Sequence, residues 1–232
     1  MANGTPAAKT MQQMTSTIPV IFIAGSDPVL DGLVQSLARP GGNLTGFYVF
    51  EPSLGGKLLE LLKEIAPNVA RVAILSNADA LSATWTASAV RASSRFVVEL
   101  VEAPLRGSSE IDAAMAQWGR ESNFGVIVVP DPATNAHRKL INELAVRHRL
   151  PVIHALRAGA ADGGLISYGF DLPNVFRQAA VYADRILKGS SPTDLPVYQP
   201  TKFELVINLA TARTLGMDVP MSLILRVDEM LD

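Results

Sequence analysis

Ile18-Pro19-Val20-Ile21-Phe22-Ile23-Ala24-Gly25-Ser26-Asp27-Pro28-Val29-Leu30 is the stretch whose reading decides the fold. Its apolar residues run on without alternation. A strand that faces water on one side alternates; one buried on both faces, as in a parallel sheet between helices, does not. The run ends abruptly in a small polar loop. Gly25 frees the backbone, Ser26 or Asp27 suits a helix cap, and Pro28 suits a first helical turn. Gly32-Leu33-Val34 is then expected to continue as an apolar-faced helix. The unit is strand, tight polar loop, helix. In open α/β sheets ligands bind outside the carboxyl ends of the strands, so the loop from Gly25 to Asp27 is the first place to seek function.

Working outward, the same pattern recurs. Before it, Asn3 to Met14 reads as a loop entering a helix, with Thr5 and Pro6 at its start. After it, Arg39-Pro40-Gly41-Gly42-Asn43 breaks the chain, Leu44 to Phe50 is extended, and a helix opens at Pro52-Ser53-Leu54. Strands are expected at Val69 to Leu75, read as buried, and at Phe96 to Val101, Gly125 to Val129, Pro151 to Ala155, Gly164 to Ser167 and Lys202 to Ile207. Helices are expected between them: Leu81 to Ser94, Ser108 to Trp118, Ala136 to His148 and Asn174 to Leu187. Ser190 to Pro200 reads as an extended connector and Leu209 to Leu215 as a short helix. Strands alternating with helices of this length mean βαβ units and a parallel sheet.

Composition narrows the classes. The 232 residues are 48% hydrophobic, enough for a large core in one or two domains. A formal net charge of -2 argues against nucleic acid as a partner, since phosphate contacts need a basic surface. The chain has no cysteine, which excludes disulfides, thiolate metal sites and cysteine nucleophiles. No apolar run reaches the length of a membrane span. Met1 to Pro6 shows neither a charged n-region nor an apolar h-region, so no signal peptide is read.

Four expected strand ends finish in small polar loops: Gly25-Ser26-Asp27, Ser76-Asn77, Pro130-Asp131 and Ser167-Tyr168-Gly169-Phe170-Asp171. They offer carboxylates (Asp27, Asp131, Asp171), an amide (Asn77) and hydroxyls (Thr5, Ser26, Thr134). Helix N-termini beside them attract anions. Such a set suits a small zwitterion, with carboxylates on the amino group, helix N–H groups on the carboxylate, and Tyr168 and Phe170 as a stacking wall. Each of these residues is also what an ordinary turn or cap would use. His137 and His148 lie too far apart to chelate; His154 ends a strand. No nucleophile elbow, phosphate loop or metal-ligand spacing is present, so no catalytic or metal residue and no cofactor is expected.

Several runs carry a resemblance: IPVIFIAGSDPV, LVQSLARPGGNLTGF, GKLLELLKEIAPNVARVAIL, ELAVRHRLPVI, GGLISYGFDLPNVFRQAAVYADRILKG and DLPVYQPTKFELVINLATARTLG. Together they resemble the ABC-transporter substrate-binding proteins of the tryptophan- or tyrosine-binding kind over nearly the whole chain. The resemblance implies a periplasmic-binding-protein-like α/β fold, two lobes of parallel sheet flanked by helices and joined by a hinge of three crossing segments. It implies a small molecule, an amino-acid-like or other small polar solute, in the cleft between lobes that close on it. The family's cleft loops match Asn3 to Ala7, Gly25 to Asp27, Asn77, Asp131 and Tyr168 to Asp171. An ABC permease of the inner membrane is the implied partner, in a periplasmic or membrane-anchored extracytoplasmic setting, with no nucleic acid.

Two departures from the family pattern shape further expectations. Family members carry a signal peptide and further βα units before the Asn3-Gly4-Thr5-Pro6-Ala7 loop. The first lobe, residues 1–48 and 170–194, is therefore expected to be incomplete, keeping only the Ile18 strand. The second, 49–169 and 195–232, is expected to be whole, and a homodimer through the first lobe would cover its edge. The usual aromatic-rich segment after Ile153 is replaced by His154-Ala155-Leu156-Arg157-Ala158-Gly159-Ala160-Ala161, which weakens the expectation of an aromatic solute. Two other classes stay open on the residues alone: an effector-sensing domain of a regulator, and an α/β enzyme.

Overall fold

The structure, a computed structural model, describes residues 1–49, 53–78 and 97–232. The helix expected from Leu81 to Ser94 lies outside the described residues. The chain divides into two compact units, 1–51 with 171–202 and 52–170 with 203–232.

The first unit is built on three parallel strands, β1 (Ala2–Asn3), β2 (Val20–Ala24) and β3 (Leu44–Tyr48), in that order across the sheet. Every residue of β2 and β3 is buried, as the unalternating sequence requires. Val20, Phe22, Ala24 and Leu44 face a core with Ala8, Leu33, Val34 and Val197. Ile21, Ile23 and Phe47 face Val175 and Ala179 of the helix Leu172–Leu187. A Cβ on Gly46 would stand 2.0 Å from the Phe22 carbonyl oxygen, so only glycine lets these strands approach.

Three expectations are corrected here. The first unit keeps three strands, not the Ile18 strand alone, because the short Ala2–Asn3 segment and Leu44–Tyr48 pair on either side of β2. Asp27 does not start a helix. Its Oδ1 accepts the N–H groups of Val29 and Leu30, Gly32 turns left-handed at φ 70°, and the Pro28 carbonyl collects the N–H groups of Leu33 and Val34. The segment 195–202 belongs with the first unit, not the second. Thr45 Oγ1 donates to the Leu195 carbonyl at 2.6 Å, and the N–H groups of Val197 and Tyr198 donate to Leu37 and Gly46.

The second unit holds a sheet of seven described strands in the order β10-β9-β8-β7-β6-β4-β5. These are β4 (Arg71–Asn77), β5 (Glu99–Leu105), β6 (Phe124–Val128), β7 (Val152–His154), β8 (Ile166–Phe170), β9 (Phe203–Asn208) and β10 (Glu229–Leu231). The strands β4 to β8 run parallel; β9 is antiparallel to β8, and β10 is parallel to β9. Ile74, Ile127, Ile153, Ile166 and Ile207 pack on one face with the helix Leu54–Ile65. Ala73, Leu75, Val126, Val128 and Val152 pack on the other with the helices Ser108–Trp118 and Arg138–His148. The helix expected from Ala136 to His148 is observed from Arg138, and the polar stretch before it, read as a loop, holds a short helix of its own, Pro132–Ala136. Tyr168 and Phe170 lie inside β8, not in a loop, because their backbones pair with Leu205 and Phe203 of β9. Parallel strands put the carboxyl ends of β4, β6, β7 and β8 on one sheet edge, and those of β1, β2 and β3 on one edge of the other sheet.

Candidate functional site

In the first unit, β1 ends at Asn3 and β2 at Ala24, and the loops that follow carry Thr5, Ser26 and Asp27. Thr5 Oγ1 and Ser26 Oγ are 2.7 Å apart. The Ser26 hydroxyl donates in turn to Asp31 Oδ2 at 2.5 Å, and Lys9 Nζ donates to Asp31 Oδ1 at 2.8 Å. Four side chains from the helix Thr5–Met14 and the turn after β2 thus form one polar chain, partly open to solvent at Thr5 and Ser26. Asp27 stands beside it and holds its own turn, with Oδ1 on the N–H groups of Val29 at 2.8 Å and Leu30 at 3.2 Å. Asp171 opens the helix Leu172–Leu187, its Oδ1 accepting from the Asn174 N–H at 3.0 Å.

In the second unit, Asp131 follows β6 and is nearly buried. Its Oδ1 accepts from the N–H groups of Ala133 and Thr134, at 2.7 and 3.0 Å, and its Oδ2 from the Asn77 N–H at 3.2 Å. Thr134 Oγ1 accepts from the Asp131 N–H and donates to the Val129 carbonyl at 2.6 Å. This is a closed capping box that also ties the end of β4 to the end of β6. The helix N–H groups of Ala133 and Thr134, which the sequence offers to an anion, are therefore taken by Asp131. Tyr168 stacks on Phe203 with ring centroids 5.3 Å apart.

A crevice opens at the ends of β6 and β7, lined among others by Thr134, Arg138, His154 and Gly159. His154 is buried, and its Nε2 lies 2.8 Å from Asn142 Oδ1. Asn142 Nδ2 already donates to the carbonyls of Gly159 and Asp162. Its Oδ1 must therefore accept, which makes His154 the Nε2–H tautomer. Burial lowers the pKa of the ring to about 4, and the positive charge of Arg138 adds to the effect. Arg138 itself is paired with Asp162 at 2.6 Å. Gly159 is packed so closely that a Cβ there would fall 2.2 Å from the His154 ring.

The structure brings Thr5 and Ser26 into direct contact, and likewise Asn77, Asp131 and Thr134. Asp27, Tyr168 and Asp171 each sit at a strand end or in a strand with partners of their own. Sequence reasoning misses Asp31 and Lys9. Lys9 lies one helical turn after Thr5, a spacing that places them on one face, but Asp31 is reached only through the fold of the turn after Asp27. It also misses Asn142, which the end of the helix Arg157–Ala161 makes a buried hub, through the carbonyls of Gly159 and Asp162. Among the described residues no group of three His, Cys, Asp or Glu is placed to hold a metal ion.

Each unit thus has parallel strands whose carboxyl ends carry polar loops, and the sequence comparison says which family has this architecture. The profile of the ABC transporter substrate binding protein family matches residues 1–231. The chain belongs to this family. It is 28% identical over 218 residues to the curated tyrosine-binding protein of Clostridioides difficile (strain R20291), 93% of this chain but 62% of that relative. The chain thus spans less than two thirds of the length of that curated relative. Among solved structures it is similar to a conserved domain protein from Vibrio cholerae O1 biovar El Tor. The TM-score is 0.87 at 28% identity, over 98% of this chain and 76% of that one. The fold is shared as well with the ABC domain in complex with L-Trp from Streptococcus pneumonia, TM-score 0.86 at 23% identity, over 99% of this chain and 77% of that one. The family is one of substrate-binding proteins, and the α/β, periplasmic-binding-protein-like architecture read from the sequence is the one observed.

Proposed function

We propose that the chain is the solute-binding component of an ABC import system, working outside the cytoplasm with an inner-membrane permease and carrying out no catalysis. The observation that carries this reading is the family match over residues 1–231. The proposed solute is a small, amino-acid-like molecule, for which the 28% identity to a tyrosine-binding protein makes L-tyrosine the first probe. The residues proposed for solute contacts are Thr5, Ser26, Asp27, Asn77, Asp131, Thr134, Tyr168 and Asp171, each at or beside a strand end. Asp27, Asp131 and Asp171 fix the loop backbones while Thr5 and Ser26 present partly exposed oxygen atoms. Among the described residues no helix is long and apolar enough to cross a membrane. Association through the first unit is part of the reading, since Met1, Met14 and Ile18 leave 72%, 74% and 65% of their surface exposed.

The experiment is a thermal-shift screen of amino acids, small amides and sugars, followed by calorimetry. A solute that binds only the native state raises the melting temperature. L-tyrosine or a related amino acid is expected to do so. A panel in which nothing shifts the melting point sinks the solute-binding reading. Light scattering at tens of micromolar checks association, and a clean monomer removes that part.

A further inference from the structure

We propose that Thr5, Ser26 and Asp31 form a one-way hydrogen-bond relay that leaves the Thr5 hydroxyl able only to accept. The first unit then recognises the N–H or ammonium group of a solute. The inference rests on the solute-binding reading and specifies its chemistry at this point of the rim.

The direction follows from counting protons. A carboxylate has only lone pairs to offer, so at Asp31 both partners must donate. Lys9 Nζ does so to Oδ1 and the Ser26 hydroxyl to Oδ2. A hydroxyl has one proton, and that of Ser26 now points at Asp31. At the 2.7 Å contact between Ser26 and Thr5 the Ser26 oxygen must therefore accept, and the Thr5 proton points inward. What remains on Thr5 Oγ1 is its two lone pairs, and among the described residues no other donor reaches them. Thr5 is only partly buried, at the start of the helix Thr5–Met14 where β1 ends. An acceptor in that position repels the oxygen of a carboxylate and takes a donor; a charged donor makes the stronger bond. Lys9 neutralises the far end of the relay, so selection is by direction rather than by net negative charge. Asp31 and Lys9 are positioning residues, which hold Ser26 and through it Thr5 without touching solute.

The test uses the whole chain, labelled at threonine methyl groups, with small probes that do not presuppose the solute. Methylammonium chloride is expected to shift the Thr5 methyl signal, while potassium chloride and potassium acetate leave it in place. Ser26→Ala keeps Thr5 but frees its proton to turn outward. The methylammonium response should fall roughly tenfold and an acetate response should appear. An unresponsive Thr5 signal, equal responses to methylammonium and acetate, or unchanged selectivity in Ser26→Ala each overturn the relay. Calorimetry with L-tyrosine and its des-amino analogue 3-(4-hydroxyphenyl)propionate separates the two readings. If L-tyrosine and every amino acid fail to bind while Thr5 still selects methylammonium, the solute reading falls and the relay stands. If both compounds bind equally well, the relay falls and solute binding stands.

Discussion

The dipeptide Asp-Pro occurs after a buried strand in each unit, at Asp27-Pro28 and at Asp131-Pro132, and the chain does different things after each. Both aspartates use Oδ1 in the same way, accepting the N–H groups two and three residues on. After Asp131 comes a helix, Pro132–Ala136, carried on by Arg138–His148. After Asp27 comes a turn that Gly32 closes in the left-handed region. The difference lies at the third residue. Thr134 returns a hydrogen bond to the Asp131 N–H and anchors itself on Val129, whereas Leu30, in the matching place, has nothing to return and is 88% exposed. A cap at one end stabilises a helix start by about 1 kcal/mol, which does not outweigh a left-handed glycine five residues on, at Gly32. The second unit thus locks its strand-end polar groups into the fold, while the first leaves Thr5 and Ser26 as a side-chain chain at the surface.

If the second unit's polar groups are the buried ones, it should be the acid-sensitive one, and the largest expected effect is at His154. In the unfolded chain this ring takes a proton near pH 6.5; in the folded protein it resists until about pH 4. Between those values the unfolded state holds more protons, so stability falls as pH falls through the window and is fully present above it. Roughly 3 kcal/mol is at stake, from about 1.4 kcal/mol per unit of pKa. His154→Gln can still donate to Asn142 but cannot titrate. Urea unfolding at pH 7 and pH 4.5 should show a smaller loss in the variant than in the parent. An identical loss in both means that His154 is not the sensor.

Next is Asp131 itself. Asp131→Ala removes a buried cap and leaves the Asn77 N–H without its carboxylate, at a cost of about 2 kcal/mol or more. Asp131→Asn keeps one acceptor and should recover part of it. A variant as stable as the parent in denaturant titration breaks the contrast between the two turns. The matching change, Asp27→Ala, falls on a partly exposed turn with two N–H bonds, and about 0.5–1 kcal/mol is expected. Equal losses at Asp27 and Asp131 show that the reciprocal bond from Thr134 adds nothing.

The same contrast marks what the sequence discloses. Runs such as Val20–Ala24 and Phe124–Val128 are legible because burial on both faces leaves no room for a polar residue. The polar strand ends are legible because turns demand small residues there. The helix after Asp27 is misread because the cap signal is genuine and only its partner is missing. Asp31 is illegible, since its contact with Ser26 depends on that misread turn. The placement of 195–202 fails for another reason: Thr45 and Leu195 meet across 150 residues, and no local pattern in a proline-rich segment announces such a partner.

The smallest effect comes from building what the Asp27 turn lacks. Leu30→Thr puts a hydroxyl where Thr134 has one, three residues after the cap. Leu30 is almost wholly exposed, so little packing is lost. If the Thr134 hydroxyl is what distinguishes the second turn, the new hydroxyl should accept from the Asp27 N–H and complete a capping box. The gain should be no more than about 0.5 kcal/mol, because Gly32 still ends the segment and the site is open to water. The readout is the Asp27 amide, whose exchange with solvent should slow in the variant, alongside a small rise in the denaturation midpoint. An unchanged exchange rate shows that the backbone after Pro28 is already turned away. The divergence of the two Asp-Pro loops then originates at Gly32, and Gly32→Ala, not Leu30→Thr, is the substitution that moves it.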